Sequence, residues 1–304
     1  MRDSEGAWRT ALYGPEGFFT RGAVPADHFR TAPLIGPELA EALLVLLERV
    51  DFALGGPARL DFVDVGAGGG ELAAAVRSLA TGPLADRLRV TAVDLGPARS
   101  LPGVGWTREL PAAVHGLLVG HEWLDAIPCP LVVGPHEDPW LDRWWPLAPG
   151  RRAEVGAPRD RAWADAVGRV RGAALAVDYG HLRADRAAGR YPEGTFAAYR
   201  EGRRVPPVFD GSCDLTAHVA LDACAEAAGG DRVLVSQRDA LAALGLSSSS
   251  PRGLTGVAWL EAAAKASRVA ELRAPGGLGS FGWLLHGVGV PVADLLPPLP
   301  PWRP

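Results

Sequence analysis

A chain of 304 residues with 48% hydrophobic and 22% charged residues has the make-up of a folded globular protein, with length for one large domain or two small ones. Its net charge of −4 gives no electrostatic reason to expect nucleic acid or an anionic membrane as partner. No apolar run approaches a membrane span, and "MRDSEGAWRT" holds no signal-peptide core, so a cytoplasmic protein without membrane insertion is expected.

In chain order, residues 1 to 33 are rich in Gly, Pro and aromatics and read as irregular. "PELAEALLVLLERV" (37–50) carries apolar residues at helical spacing, with Pro37 at a plausible first helical position. "ARLDFVDVG" (58–66) is a short apolar run ending in glycine, the pattern of a buried strand, and "GELAAAVRSLA" (70–80) reads as the helix after it. "RLRVTAVDLG" (87–96), "VHGLLVGHE" (114–122) and "RGAALAVDYG" (171–180) read as further strands. So do "DRVLVSQ" (231–237) and "GSFGWLLHGVGV" (279–290). Within a long insertion, "TAHVALDACAEAAGG" reads as a helix, with Asp214 or Thr216 as its cap and Gly229 at its end. The final "LLPPLPPWRP" reads as an extended tail.

Strands alternating with helices predict an α/β fold with a parallel sheet covered on both faces. One elaborated domain is expected over 1–304, without internal repeats. Its parts are an irregular and helical segment (1–57), a ligand-binding core (58–180), the insertion (181–230), closing strands and helices (231–290) and the Pro-rich tail (291–304). Cys129, Cys213 and Cys224 form no Cys-x-x-Cys pair and fit buried thiols in a reducing compartment. Seven histidines and three cysteines show no ligand spacing, so no metal is expected.

The strongest chemical signal is "FVDVGAGGGEL", where a strand meets a helix. Gly66, Gly68 and Gly70 permit a tight turn and let a ligand approach the backbone at the positive end of the helix. A dinucleotide fingerprint needs a small residue at position 71, where this chain has Glu71, a poor neighbour for pyrophosphate. No Gly-Lys-Ser/Thr follows, so Walker A is absent too. A ligand with an adenosine but no phosphates fits better. Asp94, at the end of the next strand, is placed to accept hydrogen bonds from ribose hydroxyls, and Asp64 to face a cationic or amino group.

"DVGAGGGEL" followed by "VTAVDLG" resembles the first two motifs of class I S-adenosylmethionine-dependent methyltransferases. "FRTAPLIGPELAEAL", "GHEWLDAIP", "LAVDYGH", "GTFAAYREGRR", "GSCDLTAHV" and "GLGSFGWLLHG" occur in the order seen in the MidA-like family. That family is related to the protein arginine methyltransferase assisting respiratory complex I assembly. The resemblance runs from about residue 13 to about residue 289. His121 stands where the family usually has Asn, His28 (after Asp27) where it usually has Asp, and Asp64 where Glu is more common.

The resemblance implies a Rossmann-like class I methyltransferase fold with a mostly parallel seven-stranded sheet and added substrate-side insertions. It implies S-adenosyl-L-methionine as cofactor, held by Asp64, Gly66, Gly68, Gly70, Asp94 and Glu122, and a protein acceptor, with a respiratory complex subunit as one candidate. A homo-oligomer stays open. "GHEWLDAIP" then follows the fourth strand, beside the cofactor, and a helical turn there would set Glu122 and Asp125 on one face. Carboxylates can grip a guanidinium bidentately and accept its departing proton. Glu122 is the main catalytic candidate, Asp125 assists, and Tyr179 lines the substrate channel. For His181 and His218 structural roles are favoured, and for Trp140, Trp144 and Trp145 core packing or an oligomer contact. A small-molecule methyltransferase and a cofactor-binding, non-catalytic assembly factor are the alternatives.

Overall fold

Phe62, Val63 and Val65 pack apolar side chains on both faces of β1 (Leu60–Val65), which is buried at every position. In the computed structural model, which describes residues 3–21, 32–248 and 253–304, this strand lies well inside a seven-stranded sheet. The others are β2 (Leu88–Val93), β3 (Val104–Thr107), β4 (Val114–His121), β5 (Val170–Asp178), β6 (Asp231–Ser236) and β7 (Gly282–Val288). Their order is β6-β7-β5-β4-β1-β2-β3. β1 to β5 pair in parallel, whereas β7 runs antiparallel to both β5 and β6. The expected mostly parallel α/β sheet is therefore present, with β3 as a strand the sequence pattern did not reveal. Only four residues long and partly exposed at the sheet edge, β3 carries no apolar run to mark it.

Helices α1 (Ser4–Tyr13), α2 (Glu38–Ala53), α3 (Glu71–Leu79), α4 (Ala157–Gly168) and α5 (Leu221–Ala228) bear on the site. One face of the sheet buries Phe62, Val90, Leu117 and Leu175 against Leu43 and Leu47 of α2 and Val76 of α3. The other buries Val63, Leu118 and Ala174 against Trp163 of α4 and Cys224 of α5. Because both faces are covered, β1, β4 and β5 read as largely apolar runs rather than alternating ones.

Two expectations need correction. Residues 1 to 33 are not wholly irregular, since α1 is a regular helix. The Asp3 carboxylate caps it on the amide of Gly6, and Trp8, Ala11 and Leu12 share the face that packs on the insertion. The insertion holds an antiparallel sheet of residues 203–205, 197–200 and 214–216, so Asp214 and Thr216 lie in a strand and cap nothing. α5 begins only at Leu221, after Ala220, without a side-chain cap, while Gly229 does end it. The Pro-rich tail, beyond the helical turn Val292–Leu295, has no regular secondary structure, as expected, and is anchored by buried Trp302, whose indole N–H donates to the Ser280 carbonyl at 2.8 Å. Asp27 and His28 lie outside the described residues.

Candidate active site

The chain leaves β1 for β2 and β3 on one side, then crosses back to β4 on the other, so β1 and β4 flank the switch point where ligands bind in open α/β sheets. At the carboxyl end of β1 the glycine loop turns through left-handed conformations, with φ of 73° at Gly66, 58° at Gly68 and 83° at Gly70. At Gly70 the left-handed φ disfavours any side chain, and a Cβ there would also press on the Leu101 methyl at 2.5 Å. Asp94 locks this loop: one carboxylate oxygen accepts from the Gly68 amide at 2.8 Å and the other from Gly96 at 2.6 Å. A carboxylate has about four acceptor positions, so Asp94 keeps capacity for a ligand's hydroxyls.

After β4, the segment from Glu122 to Asp125 forms a turn rather than the helical turn expected. Asp178 at the end of β5 holds this segment: its Oδ2 accepts from the amides of Leu124 at 3.1 Å and Asp125 at 3.2 Å. Glu122 itself holds φ at 50°, a rare conformation for a residue with a side chain, and its amide donates to Val177 at 2.9 Å. Such strain persists where surrounding structure over-determines it, and it clusters at functional sites.

Two adjoining cavities open here. One, of ≈ 350 Å³, is lined by Asp64, Glu71, Glu122, Asp125, Tyr179 and Asp214 among others. The second, of ≈ 230 Å³, is lined by Asp94, Leu95, Arg108, Leu110 and Trp123. Gly66, Gly68 and Glu122 border both. The structure thus brings every candidate residue except Gly70 to a cavity wall. Gly70 instead lets α3 start close against Leu101 and Trp106.

The larger cavity is lined by five carboxylates and, among the described residues, by no Lys or Arg. Asp64 and Asp125 are only 3% and 6% exposed, yet Asp64 Oδ2, Asp125 Oδ1, Glu122 Oε1 and Asp214 Oδ1 are buried without a hydrogen-bond partner. Burial pushes Asp64 up to about 7. Burial, with Asp125 and Asp214 alongside, pushes Glu122 up to about 8, and burial with Asp125 nearby takes Asp214 to about 8. His121 Nδ1 lies 3.5 Å from Glu122 Oε1, but burial lowers the imidazole to about 4, so it is neutral near pH 7 and offers no charge. Unpaired buried acids are costly, and a cation entering the cavity would satisfy them.

Asp125 is held from both sides: its Oδ2 accepts from the Tyr179 hydroxyl and, at 2.7 Å, from the Thr216 hydroxyl. Arg159, in α4 and 2% exposed, clamps the same region. It donates to the carbonyls of Asp125 at 2.7 Å, Ala217 at 2.9 Å, His218 at 2.9 Å and Ile127 at 3.1 Å. Asp214, Thr216 and Arg159 were not among the candidates. Asp214 and Thr216 sit two apart in "CDLTAHV", the strand alternation that puts both on one face, which is a signal; Arg159 left none.

Other residues weighed from the sequence, His218 apart, fall outside the two cavities. His181 is buried with Arg186 2.9 Å from its Nδ1 and the Trp145 ring 4.9 Å away. His218 lines the larger cavity from the link between two strands and does not start a helix. Trp140 donates to Asp160 at 2.6 Å, and Trp145 packs with Leu141 and Val155, so this segment builds a satellite core. All three cysteines are buried free thiols. Among the described residues no group of His, Cys, Asp or Glu is arranged to hold a metal, and no helix is long and apolar enough to cross a membrane.

Comparison with known proteins places this geometry. Residues 144–237 match the model of a family described as "Putative S-adenosyl-L-methionine-dependent methyltransferase". The matched stretch, less than half of the chain, includes Tyr179 and Asp214 but not the glycine loop or Glu122. No curated protein matches the chain. A crystal structure of a superfamily member from Burkholderia thailandensis, bound to S-adenosyl-homocysteine, superposes with TM-score 0.77 at 22% identity, over 94% of this chain and 88% of that one. The native crystal structure of an uncharacterized protein from the same superfamily and organism gives TM-score 0.77 at 22% identity, over 97% and 89%. At this identity the likeness is one of fold. In sequence over residues 144–237 the chain is similar to a family of putative S-adenosyl-L-methionine-dependent methyltransferases, and along nearly its whole length it shares the fold of the two Burkholderia proteins.

Proposed function

We propose that this protein is an S-adenosyl-L-methionine-dependent methyltransferase whose acceptor is an arginine of another protein. The observation that carries the reading is a left-handed glycine loop beside a cavity of carboxylates with unpartnered oxygens, at the ends of β1 and β4. The family match over 144–237 and the fold shared with the Burkholderia protein support it.

The residues present fit the cofactor. It carries an ammonium and a sulfonium, which suit an acidic cavity, and no phosphate, which Glu71 and Asp64 would repel. Asp64 would hold the amino group, the Gly66, Gly68 and Gly70 loop would allow close backbone approach, and Asp94 would take ribose hydroxyls. When bound, S-adenosyl-L-methionine supplies a methyl on a sulfonium, whose C–S bond breaks as an acceptor nitrogen forms the new C–N bond.

What the chain must add is position and a destination for one proton. An arginine stays charged below pH of about 12 and offers no free lone pair. Glu122 grips the guanidinium, whose positive charge returns the carboxyl from about 8 toward its ionised form, and takes the proton lost from the methylated nitrogen. Asp125 accepts from Tyr179 and Thr216, which fix its orientation. We place the protein in the cytoplasm, with a respiratory complex subunit as one candidate acceptor.

The test is incubation with methyl-labelled S-adenosyl-L-methionine and a protein extract, then acid hydrolysis and chromatography of the amino acids. Label in methylarginines is expected. Label confined to small molecules or to other amino acids would overturn the arginine assignment.

A further inference from the structure

Asp214 reaches the larger cavity from the insertion. It lines that cavity together with Glu122 and Asp125, and not the one containing Asp94 and Arg108. Its strand, Asp214–Thr216, is fixed on both faces. Leu215 is buried in the cluster around α1, where the Trp8 indole N–H donates to the Leu215 carbonyl at 3.2 Å. On the other face Thr216 donates to Asp125. Strand alternation therefore holds the Asp214 side chain on the cavity side.

Asp214 Oδ1 is buried without a partner, as are Asp125 Oδ1 and Glu122 Oε1. Asp125 is 6% exposed and lines the same cavity. Three carboxylates from two chain segments thus present unmet acceptors to one space. Burial first, and then repulsion among them, holds Glu122 and Asp214 near 8, and a positive charge entering the space would offset both.

Resting on the methyltransferase reading above, we propose that Asp214 is a third acceptor-binding carboxylate, facing the Glu122–Asp125 pair and reading the positive charge of the side chain to be methylated. A guanidinium, with five N–H donors in a rigid plane, offers enough donors for three separate carboxylates. The insertion thereby supplies selection of the acceptor, while the sheet supplies the cofactor site.

The experiment is calorimetric titration with N-acetyl-arginine methylamide and its neutral isostere N-acetyl-citrulline methylamide, with and without S-adenosylhomocysteine. Wild type, Asp214→Asn and Asp214→Glu are compared, their folding checked by urea denaturation. The arginine probe is expected to bind wild type and to weaken about tenfold or more in Asp214→Asn, with partial recovery in Asp214→Glu. S-adenosylhomocysteine affinity is expected to stay unchanged. Equal arginine affinity in wild type and Asp214→Asn overturns the proposal. So does equal affinity of wild type for arginine and citrulline probes, even if both variants fail to fold. Loss of S-adenosylhomocysteine binding in wild type would instead overturn the methyltransferase reading, and the titration without it would still report on Asp214.

Discussion

Glu122→Gln is expected to lower turnover about a hundredfold or more at saturating S-adenosyl-L-methionine, with the fold intact. Glutamine keeps the size and one carbonyl acceptor of glutamate, so φ of 50° and the bond to Val177 need not change. It removes the charge that grips a cation and the site that receives its proton. Because Glu122 borders both cavities, some loss of cofactor affinity is expected too. Saturation with cofactor separates that loss from the chemical step. The measurement is single-turnover transfer of labelled methyl. A variant that transfers at the wild-type rate would remove Glu122 from the chemistry.

Arg159→Ala carries the largest expected effect on stability, a loss of roughly 3–5 kcal/mol. One buried guanidinium satisfies four carbonyls, on Asp125, Ile127, Ala217 and His218, and stands 5.7 Å from the Trp8 ring centre. Truncation leaves buried acceptors unpaired and opens space between the turn after β4 and the insertion. Arg159→Lys keeps the charge but not the planar fork, so less than half of the loss should be recovered. Urea denaturation gives both values. A change below about 1 kcal/mol in Arg159→Ala would mean that water replaces the guanidinium at little expense.

Much of the fold was legible because buried parallel strands need largely apolar sequence, as β1, β4 and β5 have, while β2 shows the alternation of a strand nearer the edge. The glycine loop was legible for a different reason: only glycine takes left-handed φ readily, so its spacing records backbone geometry directly. Glu122 and Asp125 stood out as acids ending an apolar run. Their conformation did not, because Asp178, from β5, supplies the acceptor that holds the turn. Arg159 sits in "APRDRAWADAVG", which reads as a solvated helix, and its burial depends on carbonyls from two distant segments. Asp214 was misread as a cap because its strand is three residues long and exists only through pairing with residues 197–200. Local pattern marks elements that carry their own periodicity; contacts made across the chain leave no such mark.

The most direct measurement is calorimetric titration of the purified protein with S-adenosyl-L-methionine and S-adenosylhomocysteine, with Gly68→Val as control. At φ of 58° a branched side chain strains the loop and stands where a ligand must approach its backbone. Binding at one site per chain, lost in a folded Gly68→Val variant, is the predicted result. No binding of either compound to well-folded wild type would contradict the account at its centre.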